Sequence, residues 1–256
     1  MTGLLRSTWY SLGRLVRAFV RTPFWILIYS IQPLIWLLLF TQIFQSITVL
    51  PGFSTSSYVQ FFAPGLIVTL AVFNSNFSGM QIIQDINFGV FEKMLVTPVD
   101  RYGLILGSLL YVAVIGIAQI VIVLGVSFVM GAHVATGVGG VLLTFVIVSL
   151  LTIGIAGLIT ALALRVKRAE PLIFVTNLIT LPLIFLSGAL IPASLTPSWV
   201  QTAMKFNPVN YAVLAVRPLF LTGYDWTASA QALIVCGALA FVAIVIATLA
   251  ARRFGD

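Results

Sequence analysis

The chain has 256 residues, of which 61% are hydrophobic and only 7% charged, and it carries a net charge of +7. With a mean hydropathy of +1.15, this composition excludes an ordinary soluble domain and points to a polytopic membrane protein, so the positive charge must be mapped onto the two sides of a membrane before it is read as affinity for nucleic acid. One cysteine, Cys236, lies within an apolar run, which excludes a disulfide framework and a thiolate metal cluster.

Residues 1–22 place Leu4, Leu5, Trp9, Leu12, Leu15, Val16 and Phe19 on one side of a helix and Arg6, Arg14, Arg17 and Arg21 on the other. That is the pattern of a helix lying in the membrane interface, its arginines near anionic lipid headgroups. No apolar core followed by a small-residue cleavage site is present, so a cleaved signal peptide is not expected. Pro23 then turns the chain into a first hairpin, residues 24–83, with spans at about 24–44 and 60–83 and a turn at 51–57 (PGFSTSS). The second half of the second span is polar, and Asn74, Ser78 and Gln81 share one helical face. They line a transport path or make interhelical hydrogen bonds, since neither role leaves them facing lipid.

Residues 84–101, QDINFGVFEKMLVTPVDR, are the only place where charges interrupt the sequence between residues 22 and 164. The stretch reads as a loop containing a short amphipathic helix, with Phe91, Met94 and Leu95 on one face and Glu92 and Lys93 on the other, ended by Thr97 and Pro98. Its acids Asp85, Glu92 and Asp100 read as loop charges. A second hairpin, residues 102–164, has spans at 102–130 and 138–164 and a turn at 131–137. His133 in that turn has no acidic or cysteine neighbour, so no metal or catalytic role is expected. After a compact charged loop (Arg165, Lys167, Arg168, Glu170), residues 171–251 hold a fifth span with Thr176, Asn177 and Thr180, then a Pro-broken apolar segment from 187 to 226, then a sixth span at 228–249. Such broken backbone at membrane depth must be buried in protein, as one or two short re-entrant helices.

The expected fold is therefore an all-α membrane protein forming a single transmembrane domain of six helices. Placing the N-terminus, the C-terminus and the 84–101 loop in the cytoplasm puts all but Lys205 and Arg217 of the 13 basic residues inside, which fixes the orientation by the positive-inside rule.

No Gly-Lys dipeptide occurs, so a phosphate loop of the GxxxxGK(S/T) type is excluded and ATP hydrolysis by this chain is not expected. No charged residue falls at the predicted midplane of a span, where ion-coupled carriers commonly hold one. One histidine and six acids do not supply a membrane hydrolase site. What remains is a membrane body whose short cytoplasmic helix is suited to docking in a groove on a partner.

Four stretches carry a resemblance: residues 58–65 (YVQFFAPG), 89–101 (GVFEKMLVTPVDR), 185–192 (FLSGALIP) and 207–217 (NPVNYAVLAVR). In this order and spacing, over nearly the whole chain, they resemble the membrane subunits of ATP-binding cassette (ABC) type-2 exporters, in particular the daunorubicin-resistance permeases. The resemblance implies a half-transporter that pairs with a second permease copy or a paralogue and binds two cytoplasmic ATPase subunits, with ATP and Mg on those partners and no cofactor on this chain. It implies that residues 89–101 form a coupling helix seated on the ATPase, where Glu92, Lys93, Leu95, Thr97, Pro98 and Arg101 would act. It also implies that the segment after Ser187 forms re-entrant outer helices, and that Asn74, Ser78, Thr176, Asn177 and Thr180 are candidate path-lining residues.

The expected activity is export of a hydrophobic or amphipathic molecule (drug, lipid or glycolipid) across a bacterial plasma membrane, with no nucleic-acid partner. The alternatives are export of a lipid-linked glycan or polysaccharide, for which the chain lacks an extended charged segment before its interfacial helix, and a non-transporting membrane scaffold.

Overall fold

The computed structural model describes residues 2–21, 24–49, 57–89 and 101–252. The Pro23 turn, residues 51–56 and the amphipathic stretch with Glu92, Lys93, Leu95, Thr97 and Pro98 lie outside the described residues. Nine α-helices make up the described residues together with two short 3₁₀ turns, and no strand is among them. In chain order they are α1 (Thr2–Val20), α2 (Phe24–Ile43), α3 (Tyr58–Asn87), α4 (Arg101–Val129), α5 (Gly137–Val166), α6 (Ala169–Phe185), α7 (Ser198–Met204), α8 (Pro208–Leu221) and α9 (Trp226–Arg252).

Four of these, α3, α4, α5 and α9, are long and apolar enough to cross a membrane, at 27 to 30 residues against the roughly 20 that a hydrocarbon core requires. Residues 28–43 of α2, together with α6 and α8, are shorter apolar helices. The helices α4, α5 and α9 are apolar on nearly every side, as elements with no aqueous face are, whereas the C-terminal half of α3 carries Asn74, Asn76, Gln81 and Asp85. Several hydroxyls of the long helices are absorbed locally: Thr69, Ser127, Thr144 and Thr152 each donate to the carbonyl four residues back, at 2.7–2.9 Å.

The helix α3 forms the axis of the bundle. It packs against α2, α4, α5, α6 and α8, and every residue from Tyr58 to Val72 is buried. Its C-terminal half is tied to α5 by Ser75, which donates to the Thr152 carbonyl at 3.1 Å, and Ser78, which donates to the Ala156 carbonyl at 3.0 Å. On the far side of α5 lies α9, and the contact between them runs along a seam of small residues. Ala232, Cys236, Ala240, Ala243 and Ala247 of α9 are all buried, and an added methyl at Gly154 or Gly157 of α5 would sit 2.8 Å from Leu239 Cγ or 2.9 Å from Ala243 Cβ. Small residues at helical spacing let backbones approach closely where no hydrophobic force separates protein from lipid.

Two features differ from the sequence expectation. The first concerns Asp85, read as a loop charge, which sits in the last turns of α3 because that helix runs on to Asn87. Its carboxylate lies 3.6 Å from Arg14 of α1 and accepts from the Gln81 amide at 3.3 Å. The second concerns the face on which α1 packs. Ser11 and Leu15 are buried, whereas Leu5 and Trp9 of the expected apolar face are 70% and 76% exposed. The packed seam is a polar, small-residue one against the start of α4, where an added Cβ at Gly103 or Gly107 would fall 2.5 or 2.6 Å from Ser7 Cβ or Ser11 Cβ. Leu5, Trp9, Tyr10 and Val20 of α1 are thereby left outward, beside the exposed Arg6, Arg14, Arg17 and Arg21. That is the arrangement an interfacial helix needs.

Candidate functional site

Three of the four stretches that carry the family resemblance converge at the N-terminal end of α3. The helix α6 ends at Phe185, and the chain then turns through residues 186–190 before the 3₁₀ turn Ala193–Leu195. The exposed carbonyls of that break are collected by side chains from the other two stretches. Asn207 caps α8, its Oδ1 accepting from Val209 N at 3.0 Å, while its Nδ2 donates to the carbonyls of Leu183 and Leu186 at 2.7 and 2.6 Å. Pro208 follows at the first helical position, where a missing N–H costs nothing. Asn210 accepts from Gly188 N at 3.1 Å. Arg217 donates to the carbonyls of Gly188 and Ala189 at 2.7 and 3.1 Å, with its guanidinium carbon 3.8 Å from the centre of the Phe61 ring.

From α3, the Tyr58 hydroxyl donates to the Leu190 carbonyl at 3.3 Å. Gly65 lies directly under the Ala189 carbonyl, with which any methyl at that position would overlap. Gln60 completes the arrangement. Its amide donates to the carbonyls of His133 and Phe220 at 2.7 Å each and accepts from His133 N at 2.8 Å, joining α3 to the α4–α5 turn and to the end of α8. His133 enters this network only through its backbone, and no metal-binding cluster of histidine, cysteine or acidic residues occurs among the described residues.

About midway along α3, its other side borders a cavity of about 390 Å³ between α2, α3 and α4. Tyr29, Trp36, Phe73 and Phe77 form its aromatic walls, with Tyr29 on Phe77 and Trp36 on Phe73 in edge-to-face contact at 4.8 and 5.9 Å. Gln32, Asn74, Asn76 and Gln119 supply its polar groups.

The expected path residues separate in space. Asn74 is buried and lines the cavity. Ser78 is also buried, but its hydroxyl is occupied by the carbonyls of Ala156 and Ser75. On α6, Thr176 donates to the Ile173 carbonyl at 3.1 Å, Thr180 donates to Asn76 Oδ1 at 3.5 Å, and Asn177 is exposed. Arg101 opens α4. Gln119, Gln60 and Trp36 were not singled out from the sequence. Gln119 was findable as one of the few polar residues in the otherwise apolar α4, whereas the partners of Gln60 are carbonyls, to which no sequence pattern points.

An all-helical body of long apolar helices around a buried axis, with a broken, carbonyl-rich segment held inside it, is that of a multi-pass membrane protein. The chain belongs to the ABC-2 type transporter family, which matches over residues 6–221. It is similar to the ycf38 transport permease of Cyanophora paradoxa, with 31% identity across 78% of this chain and 69% of that one. It is also similar to the daunorubicin resistance ABC transporter permease protein DrrB1 of Streptomyces coeruleorubidus, at 26% identity across 83% and 74%. Nodulation protein J of Rhizobium leguminosarum bv. trifolii is a further relative, at 28% identity across 64% and 63%.

Proposed function

We propose that the chain is the membrane-spanning permease subunit of an ATP-driven exporter, working with a separate cytoplasmic ATPase to move a hydrophobic or amphipathic molecule out of the cytoplasm or the inner leaflet. Family membership and the drug-resistance permease among the relatives support this reading. In it α2 and α6 are the first and fifth crossings, α7 and α8 re-enter from outside, and both termini are cytoplasmic in a bacterial plasma membrane. Two permease copies, or this chain and a paralogue, meet two ATPase subunits that carry the ATP and Mg. This chain binds no cofactor, and its one enzymatic requirement is met by the partner.

The observation that carries the reading is the way the two ends flanking residues 90–100 are built into the body. The end of α3 meets α1 through Asp85 and Arg14, and the start of α4 is packed on α1 through Gly103 and Gly107. A push on the intervening stretch therefore reaches α1, α3 and α4 together. ATP-driven closure of the partner subunits would act there, through Glu92, Lys93, Leu95, Thr97, Pro98 and Arg101, and rock the two membrane halves. The test is purification of the chain in nanodiscs with the product of the neighbouring gene, followed by an ATPase assay with lipophilic compounds. A stoichiometric ATPase whose rate responds to such a compound is the expected result. A chain that purifies without any ATPase under all conditions would replace the exporter with the scaffold.

A further inference from the structure

The outward side of α1 carries a groove of about 330 Å³ whose lining includes Trp9, Tyr10, Gly13, Arg14, Arg17 and Arg21. The winding of the helix, 3.6 residues per turn, sorts the side chains around it. Leu5, Trp9 and Val20 fall on one edge of the outward side, Arg14, Arg17 and Arg21 fall on the other, and Gly13 lies on the border between them. Gly13 is what keeps the groove open. Glycine is unfavourable inside a helix, and here no close contact requires it, since an added methyl would meet nothing within 4 Å. The tight approach of α1 to α4 runs instead through Ser7 and Ser11, on the opposite side of the helix. Arg17 and Arg21 enter no ion pair among the described residues, and Arg14 meets Asp85 at 3.6 Å.

The structure assigns this groove to the headgroup of one anionic phospholipid. The phosphodiester lies over Gly13, within reach of the Arg14, Arg17 and Arg21 guanidinium groups, and the glycerol and upper acyl carbons lie on the apolar edge that Trp9 shares with Leu5 and Val20. Three arginines against the single carboxylate of Asp85 leave positive charge that a zwitterionic lipid does not balance. A free anion would use the arginines and leave the aromatic edge unfilled, whereas a lipid uses both. The apolar α2 begins three residues after Arg21, so the groove lies where the chain passes from the surface into an apolar environment. A volume of about 330 Å³ is at the lower end of small-molecule sites and is enough for one headgroup. An interfacial helix needs only a diffuse positive face. The groove adds a site for one molecule, and it stands independently of the exporter reading.

The test is native mass spectrometry of the full chain in a non-ionic detergent, titrated with dioleoylphosphatidylglycerol or dioleoylphosphatidylcholine. The two share acyl chains and phosphate and differ in net charge. One phosphatidylglycerol per chain should bind at least about tenfold more tightly than phosphatidylcholine. Arg17→Gln and Arg21→Gln should each weaken it about fivefold, and Arg6→Gln, which removes the same charge from the same helix outside the groove, less than about twofold. Gly13→Leu fills the groove and leaves every arginine in place. It should abolish the preference for phosphatidylglycerol without lowering the melting temperature, because it displaces no neighbour. Inorganic phosphate in excess should leave the lipid bound.

Equal weakening by the three glutamine variants, with Gly13→Leu binding as the wild type does, would replace the site with a diffuse charged face. Displacement of the lipid by inorganic phosphate would reduce it to a simple anion site, and equal binding of the two lipids would remove it. Each of these results overturns the proposal. None bears on the ATPase partner, so the lipid site and the exporter fail separately.

Discussion

Arg217 shows what a single side chain contributes at the N-terminal end of α3. In a count of basic residues by membrane side it is one of two that fall outside, which makes it look like a stray surface charge. In the structure it holds the Gly188 and Ala189 carbonyls and lies over Phe61, so it closes the break between α6 and α8 onto α3. Charge-assisted hydrogen bonds of this kind are worth more than neutral ones, and their loss leaves buried carbonyls unanswered. Arg217→Ala is expected to cost about 3 kcal/mol, and so to lower the melting temperature by roughly 10 °C for a chain of this size. Arg217→Lys should recover part of this, because a single ammonium cannot reproduce the fork. Lys205, which is exposed, is the control, and its replacement by alanine should fall within about 0.5 kcal/mol of the wild type. Equal melting of Arg217→Ala and Lys205→Ala would show that the carbonyl clamp contributes nothing to stability. The stretches containing Tyr58, Gly188, Asn207 and Arg217 were each legible as motifs. Their meeting was not, because what joins them is backbone carbonyls, which every residue has.

At the scale of the element, hydrophobic runs and proline positions placed α2, α3, α4, α5 and α9 to within a few residues of their ends, since an apolar run between charges has few other ways to satisfy its backbone. The exception is the end of α3, where Asp85 was expected in a loop and instead stays helical beside Arg14. Charge alone does not end a helix when a partner helix supplies the counter-charge. Nor could the pattern say which face of a uniformly apolar helix packs. The α5–α9 seam is set by side-chain size, with Gly154 and Gly157 receiving Leu239, Ala240 and Ala243. A leucine at Gly157 would drive its Cβ to 2.9 Å from Ala243 Cβ and to 3.1 Å from that residue's backbone carbonyl carbon, which cannot move without moving α9. Overpacking of this kind costs about 1–3 kcal/mol or more. Gly157→Leu should therefore lower the melting temperature and broaden the size-exclusion peak, while leucine at Gly125, whose added Cβ would meet nothing within 4 Å, should do neither. Identical behaviour of the two variants would mean that the seam does not hold α9.

Across the whole molecule, α3 connects two different ends. Its N-terminus carries the clamp on residues 186–190, and its C-terminus, roughly 45 Å away by helical rise, meets α1 and leads to residues 90–100. Under the exporter reading, a rigid axis of this length carries movement from the ATPase side to the clamp that closes the opposite side. The strength of the connection at the ATPase end can be apportioned. The Arg14–Asp85 pair, at 3.6 Å and with Arg14 39% exposed, is worth at most about 1 kcal/mol, whereas the Ser7–Gly103 and Ser11–Gly107 contacts are backbone-close packing. Arg14→Ala should accordingly leave coupled transport within about fivefold of the wild type. Leu95→Asp is a different kind of change, because it puts a carboxylate on the apolar face that would meet the ATPase. Loss of one such central anchor costs about 2 kcal/mol or more, which is roughly 30-fold in association. In proteoliposomes containing both subunits, Leu95→Asp, and to a lesser extent Glu92→Ala, should uncouple ATP hydrolysis from transport while insertion and pairing of the permease stay normal. Full transport by both variants would remove residues 89–101 from the coupling role. A loss in Arg14→Ala as deep as that in Leu95→Asp would instead place the decisive connection at the ion pair between α1 and α3.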